Sequence, residues 1–158
     1  MTAMVDIAVT INGRDHRLTV PPRRVLADML REDLHLDGCK IGCDQAVCGA
    51  CTVLVDDMPI TACATFAFEI DGKAVTTIEG LSQGGDLDPV QRAFLEHGAF
   101  QCGFCTPGLI LSVKALLARH HELDDAMIRQ WLNANICRCT GYQMIVEAVR
   151  AAARSGAG

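Results

Sequence analysis

The chain has 158 residues, a net charge of −5 and only 4 % aromatic residues, with no basic run. Nucleic-acid binding asks for a basic face and stacking rings, so the composition argues against it. Half of the residues are hydrophobic, enough apolar material for one domain or two small ones.

In chain order, residues 4–12 (MVDIAVTIN) alternate Val5, Ile7, Val9 and Ile11 with more polar positions, predicting a half-buried strand. Asn12-Gly13 is a hairpin turn signal, and residues 17–20 (RLTV) return as a second strand until Pro21-Pro22 stops it. Val25, Leu26, Met29 and Leu30 recur at helical spacing, predicting a short helix over 23–33. Residues 52–57, 58–63 and 74–79 (TVLVDD, MPITAC, AVTTIE) read as strands, and Asp56-Asp57 reads as a turn rather than a metal site. The polar, Gly-rich stretch 79–89 is a linker. After it the period turns helical. Asp88 caps and Pro89 opens a helix to 97, and Thr106 caps and Pro107 opens one to 120. Asp124 starts a helix to 134, and Thr140-Gly141 precede a last one to 153. The expected fold class is α+β: a β-grasp, plant-type ferredoxin domain over 1–80, then a four-helix bundle over 81–158. Units of roughly 75 residues are marginal alone, and bound clusters would supply the missing constraint.

The cysteines carry the chemistry. Cys43, Cys48, Cys51 and Cys63 are spaced C-x4-C-x2-C-x11-C, the plant-type [2Fe–2S] signature. Gly38, Gly42 and Gly49 in this stretch permit close approach of backbone to a cluster. A zinc site can also use four cysteines, but zinc ribbons favour paired CxxC knuckles. Cys102, Cys105, Cys137 and Cys139 form a second set, C-x2-C-x31-C-x-C. Each pair of this set precedes a predicted helix, whose free N–H groups and dipole favour an anionic cluster. Taken alone, the second set could also hold zinc, but beside the first set iron–sulfur is the better reading. Both pairs end in Cys-Thr at a predicted helix start, which hints at approximate two-fold symmetry. Two cluster sites in one small chain point to single-electron transfer, with no catalytic residue in the chain itself.

The ninth cysteine, Cys39, reads as a small buried hydrophobe. An odd cysteine count and no apolar leader in the first twenty residues argue against a secreted disulfide scaffold. Arg23-Arg24 is followed by Asp28, Arg31, Glu32 and Asp33 rather than an apolar export segment. A reducing cytoplasmic setting is therefore expected. No stretch approaches the roughly 18 apolar residues of a membrane span. His16, His35, His97, His120 and His121 match no ligand spacing, and Trp131 reads as a packing anchor.

The motifs GCDQAVCGACTV (42–53), QCGFCTPG (101–108) and NICRCTGY (135–142) resemble, in order and over nearly the whole chain, the small iron–sulfur subunit of the molybdenum hydroxylases. This is the xanthine oxidase and carbon monoxide dehydrogenase family. The resemblance implies two [2Fe–2S] clusters here, a large partner with a molybdenum–pterin cofactor, and a medium partner that usually carries FAD. It implies a dimer of heterotrimers, with substrate contacts in the large subunit and no turnover by this chain alone. It also implies electron flow from molybdenum to the C-terminal cluster, then to the N-terminal cluster and on to FAD or another acceptor. Gln101 and Cys139 match positions that contact the pterin, whereas Cys39 is not among the family's eight ligands. A free-standing ferredoxin is the alternative, but it would need neither the helical half nor QCGFCTPG.

Overall fold

The computed structural model describes residues 3–82 and 84–156; Gln83, inside the predicted linker, lies outside the described residues. Strand β1 (Val5–Ile11) buries Ile7, Val9 and Ile11 and turns Asp6 and Ala8 outward, as the period of two requires. Asn12 and Gly13 both take positive φ (50° and 77°), the geometry of a two-residue hairpin turn. The turn returns the chain as β2 (Arg14–Val20), in a register that pairs Ile11 with Arg14 and Val5 with Val20. Asp56 and Asp57 (φ 47° and 63°) repeat the device between β3 (Thr52–Val55) and β4 (Met58–Thr61). Strand β5 (Ala74–Thr76) completes a mixed sheet of order β2-β1-β5-β3-β4, parallel to β1 and antiparallel to β3.

The predicted helix over 23–33 is shorter and less regular. A single α-helical turn, α1 (Leu26–Asp28), widens into a π-helical turn at Met29–Asp33. It starts late because Val25 is extended (φ −83°, ψ 153°) and bridges Phe66, while the Leu26 amide donates to the Thr65 carbonyl. Its apolar face, Leu26, Ala27, Met29 and Leu30, is fully buried in one core with Ile7, Val9, Ile11 and Val53. Arg24 bridges Glu32 (2.7 Å) and Asp33 (2.8 Å) across the turn.

Four α-helices follow: α2 (Pro89–Glu96), α3 (Thr106–Arg119), α4 (Asp125–Leu132) and α5 (Gln143–Arg154). Asp88 accepts from the Val90 amide, and Gln91 reaches back to the Asp88 amide, making a capping box. Asp124 caps α4 through the Met127 amide. Phe94, Leu109, Leu116, Ile128, Leu132 and Ile145 form the centre of a second core. The last helix begins at Gln143, later than predicted, because Tyr142 is left-handed (φ 69°).

The two cores meet. Leu54 of β3 packs with Leu111 and Ala115 of α3, and Trp131 closes the contact with its indole N–H on the Ser112 carbonyl (2.9 Å) and hydroxyl. Backbone approaches backbone here: a Cβ at Gly108 would lie 2.4 Å from the Gly49 carbonyl oxygen. Among the described residues, no helix is long and apolar enough to cross a membrane.

Candidate iron–sulfur centres

The loop between residues 38 and 51 delivers three of the first four cysteines, and Cys63 comes from a 3-10 turn (Ala62–Ala64) just past β4 rather than from the strand itself. Asp44 and Ala46 are both left-handed (φ 56°), with Gln45 between them. Such alternation turns successive amides toward one concavity, an anion-binding nest. The amides of Gln45, Val47 and Cys48 approach Cys43 Sγ at 3.4, 3.3 and 3.3 Å, and the Ala46 amide approaches Cys63 Sγ at 3.4 Å. The Cys63 amide lies 3.5 Å from Cys51 Sγ. Gly42 leaves the room that Cys48 needs, since a Cβ there would sit 3.1 Å from Cys48 Sγ.

These amides change the thiol chemistry. Donation from the Cys48, Gln45 and Val47 amides lowers the Cys43 pKa to about 7. Burial instead pushes Cys51 up to about 12, so its thiolate is favourable only with a compensating cation. Bound iron would supply that compensation, and the nest amides are placed to donate to the sulfurs.

In the second set, Cys102 and Cys105 precede α3 and Cys137 and Cys139 precede α5. The helix-end argument holds for the first pair, since Cys105, rather than the expected Thr106, is the N-cap of α3, and the buried Thr106 hydroxyl makes no cap hydrogen bond. It does not carry over unchanged to Cys139, which lies before the left-handed Tyr142, so the predicted two-fold likeness of the pairs is only approximate. There the Thr140 hydroxyl takes the donor role, 3.1 Å from Cys137 Sγ. Burial opposes ionisation of Cys137, but the Thr140 hydroxyl and the Thr140 and Cys139 amides outweigh it and lower its pKa. Burial raises Cys105 to about 12.

The thiols meet in twos. Cys102 and Cys139 sulfurs are 3.6 Å apart, and Cys105 lies within hydrogen-bonding reach of Cys137. Cys43 likewise meets Cys48, and Cys51 meets Cys63. A structural zinc ion needs four ligands on a single centre, whereas a [2Fe–2S] core takes two on each iron. All eight cysteines therefore fit two binuclear centres in donor type, pairing and surrounding amides.

Other expected residues fall as follows. Cys39 is buried, donates to the Cys51 carbonyl (3.6 Å), and burial raises its pKa to about 12. Gln101 and Cys139 are exposed and joined, the Gln101 side-chain amide donating to the Cys139 carbonyl (3.1 Å). His120 ends α3 and meets Trp131 edge-on, with ring centroids 6.1 Å apart. Two residues of the NICRCTGY motif have roles that spacing did not reveal. Tyr142 Oη accepts from the Cys137 amide (2.8 Å) and donates to the Asn135 carbonyl (2.9 Å). Asn135, 1 % exposed, donates through Nδ2 to the Gly49 carbonyl (2.8 Å) and to Thr52 Oγ1 (3.3 Å). Their positions flanking the CRC ligand pair were the available signal.

Comparison with known proteins agrees with this chemistry. Residues 9–76 match the family model of a 2Fe-2S iron-sulfur cluster binding domain, and residues 77–150 match that of a [2Fe-2S] binding domain. The beta subunit of the 6-hydroxypseudooxynicotine dehydrogenase complex of Paenarthrobacter nicotinovorans is 46 % identical, over 90 % of this chain and 89 % of its own. The xanthine dehydrogenase iron-sulfur-binding subunit of Escherichia coli O157:H7 is 48 % identical, over 92 % of both chains. The chain belongs to the small iron–sulfur subunits of the molybdenum hydroxylases. A chain of quinoline 2-oxidoreductase from Pseudomonas putida 86 superposes with a TM-score of 0.93 at 42 % identity, covering 97 % of this chain and 96 % of that one. Members of this family are subunits of oxidoreductase complexes, so this chain works by electron transfer alongside larger partners.

Proposed function

We propose that this chain carries electrons from a large molybdenum–pterin subunit, by way of Cys102, Cys105, Cys137 and Cys139, to the set Cys43, Cys48, Cys51 and Cys63. From there they leave for FAD on a medium subunit or for another acceptor. When bound, the two [2Fe–2S] clusters supply one-electron redox chemistry. The chain's residues hold them, donate hydrogen bonds to their sulfurs and keep the second core's cysteines close to the first. One observation carries the reading: the likeness to dehydrogenase subunits runs through both halves, over about nine-tenths of the 6-hydroxypseudooxynicotine dehydrogenase subunit. A diffusible plant-type carrier would not need the helical half.

Gln101, exposed and tied to the Cys139 carbonyl, faces the pterin in this reading, and Cys139 contacts it. Asp44 and Gln45, on the exposed nest loop, face the acceptor. Residues 1–80 and 81–158 act as the two cluster-bearing domains. The complex is a cytoplasmic dimer of heterotrimers.

The test separates entry from exit. In the assembled complex, Gln101→Ala should keep both clusters and slow their reduction by substrate, while artificial reductants act normally. Asp44→Lys should spare substrate-driven reduction and slow only re-oxidation by the acceptor. The opposite pattern would reverse the order of the two centres.

A further inference from the structure

The two thiolate sets are linked by one main-chain hydrogen bond. The Ile136 amide donates to the Cys48 carbonyl at 2.8 Å. Cys48 belongs to the N-terminal set, and Ile136 is bonded directly to Cys137 of the C-terminal set. A route from one sulfur to the other therefore runs through covalent bonds with a single hydrogen-bonded crossing. Electron transfer falls off much more steeply across empty space than along bonded atoms, so a bonded route with one short crossing favours exchange between the two sets.

The crossing depends on how the Cys48–Gly49 segment is held. Asn135 holds it from one side: its Nδ2 donates to the Gly49 carbonyl, and Thr52 Oγ1 donates to the same oxygen at 2.7 Å. The contact is tight, since a Cβ at Gly49 would lie 2.3 Å from the Ala134 carbonyl oxygen. Asn135 keeps this place at a cost. Its Oδ1 is buried without a hydrogen-bond partner among the described residues, which is destabilising in itself. An apolar residue would avoid that penalty and lose the donations to Gly49 and Thr52.

We propose that Asn135 is a positioning residue for electron transfer, clamping the Gly49 carbonyl so that the Cys48 carbonyl meets the Ile136 amide and joins the two centres. The step is a single-electron exchange: one centre is oxidised as the other is reduced, with no bond made or broken and no proton moved. The inference rests on both cysteine sets holding clusters, as proposed above, but not on the direction in which electrons run.

The experiment uses the assembled, cluster-loaded complex. One electron is injected by a laser flash, and its redistribution between the two centres is followed by their separate spectroscopic signals. Asn135→Ala should slow redistribution roughly 3- to 30-fold and leave both reduction potentials unchanged. Hydrogen exchange at the Ile136 amide should become faster in the same variant. Asn133→Ala, at an exposed neighbour, should do neither. An unchanged redistribution rate alongside faster Ile136 exchange would overturn the proposal. So would a rate change explained by shifted potentials, which would make Asn135 a tuning residue. If Asn135→Ala loses a cluster, Thr52→Val, which removes only a hydroxyl from the clamp, decides by the same criteria. Redistribution is blind to physiological direction, so a reversed order of centres would leave this result standing.

Discussion

Gly49 sits between two cluster cysteines and offers the sharpest test of how the halves are joined. Its φ of +67° is left-handed, where an alanine costs about 1–2 kcal/mol. A Cβ there would also lie 2.3 Å from the Ala134 carbonyl oxygen and 2.5 Å from Asn135 Nδ2. The first of these is backbone and cannot rotate away, so overpacking adds about 1–3 kcal/mol. Gly49→Ala should therefore destabilise the loaded chain by about 2–5 kcal/mol. At about 2–4 °C per kcal/mol for a chain of this size, the melting midpoint should fall by roughly 4–20 °C. Gly13 supplies the comparison. It has φ +77° but nothing within 4 Å of the added Cβ, so Gly13→Ala should show only the backbone penalty. Gly108 supplies the reverse case. Alanine in place of a helical glycine ordinarily gains about 1 kcal/mol, yet here the added Cβ meets the Gly49 carbonyl oxygen at 2.4 Å and the sign should invert. Far-ultraviolet circular dichroism and visible absorbance, followed together on heating, measure all three variants. Equal shifts for Gly49→Ala and Gly13→Ala, or a stabilised Gly108→Ala, would refute the tight-contact argument.

Three further outcomes are expected. Metal and sulfide analysis of the purified chain should give about four irons and four acid-labile sulfides, two of each per cluster; stoichiometric zinc would end the two-cluster reading. Cys39→Ala should keep both clusters and Cys48→Ala should lose one, as scored by the two paramagnetic signals of the reduced protein. Tyr142→Phe removes the hydroxyl that bridges the Cys137 amide and the Asn135 carbonyl, at about 1–3 kcal/mol for the polar groups left unpaired; an unmoved denaturant midpoint would show that water replaces the bridge.

Local signals were legible in the sequence wherever one residue type settles the backbone. Asn12-Gly13 and Asp56-Asp57 gave both hairpin turns, and Asp88 and Asp124 gave both side-chain caps, because each acts within a few residues. The loop that carries Cys43, Cys48 and Cys51 was legible for the same reason, three thiols falling within nine residues. What the sequence left hidden depends on distant partners. The late start of α1 follows from Val25 pairing with Phe66, a contact no helical period contains. The nest relies on positive φ at Asp44 and Ala46, and alanine carries no signal for that conformation. The Asn135 clamp spans 86 positions to Gly49, so neither residue advertises the other.

The nest loop also separates two jobs that enzymes often entangle. The groups that face the sulfurs at Gln45, Ala46, Val47 and Cys48 are all peptide N–H groups. The side chains of residues 44–47 are exposed and take no part in that donation. Selection can therefore redraw the outer surface of this loop, exchanging charge or bulk at Gln45 and Val47, without touching the inner lining. The donors to sulfur are inherited through backbone shape, and the outer surface is written over them in side chains. One electron relay can in this way be refitted to new neighbours, step by step, while the interior chemistry stays constant.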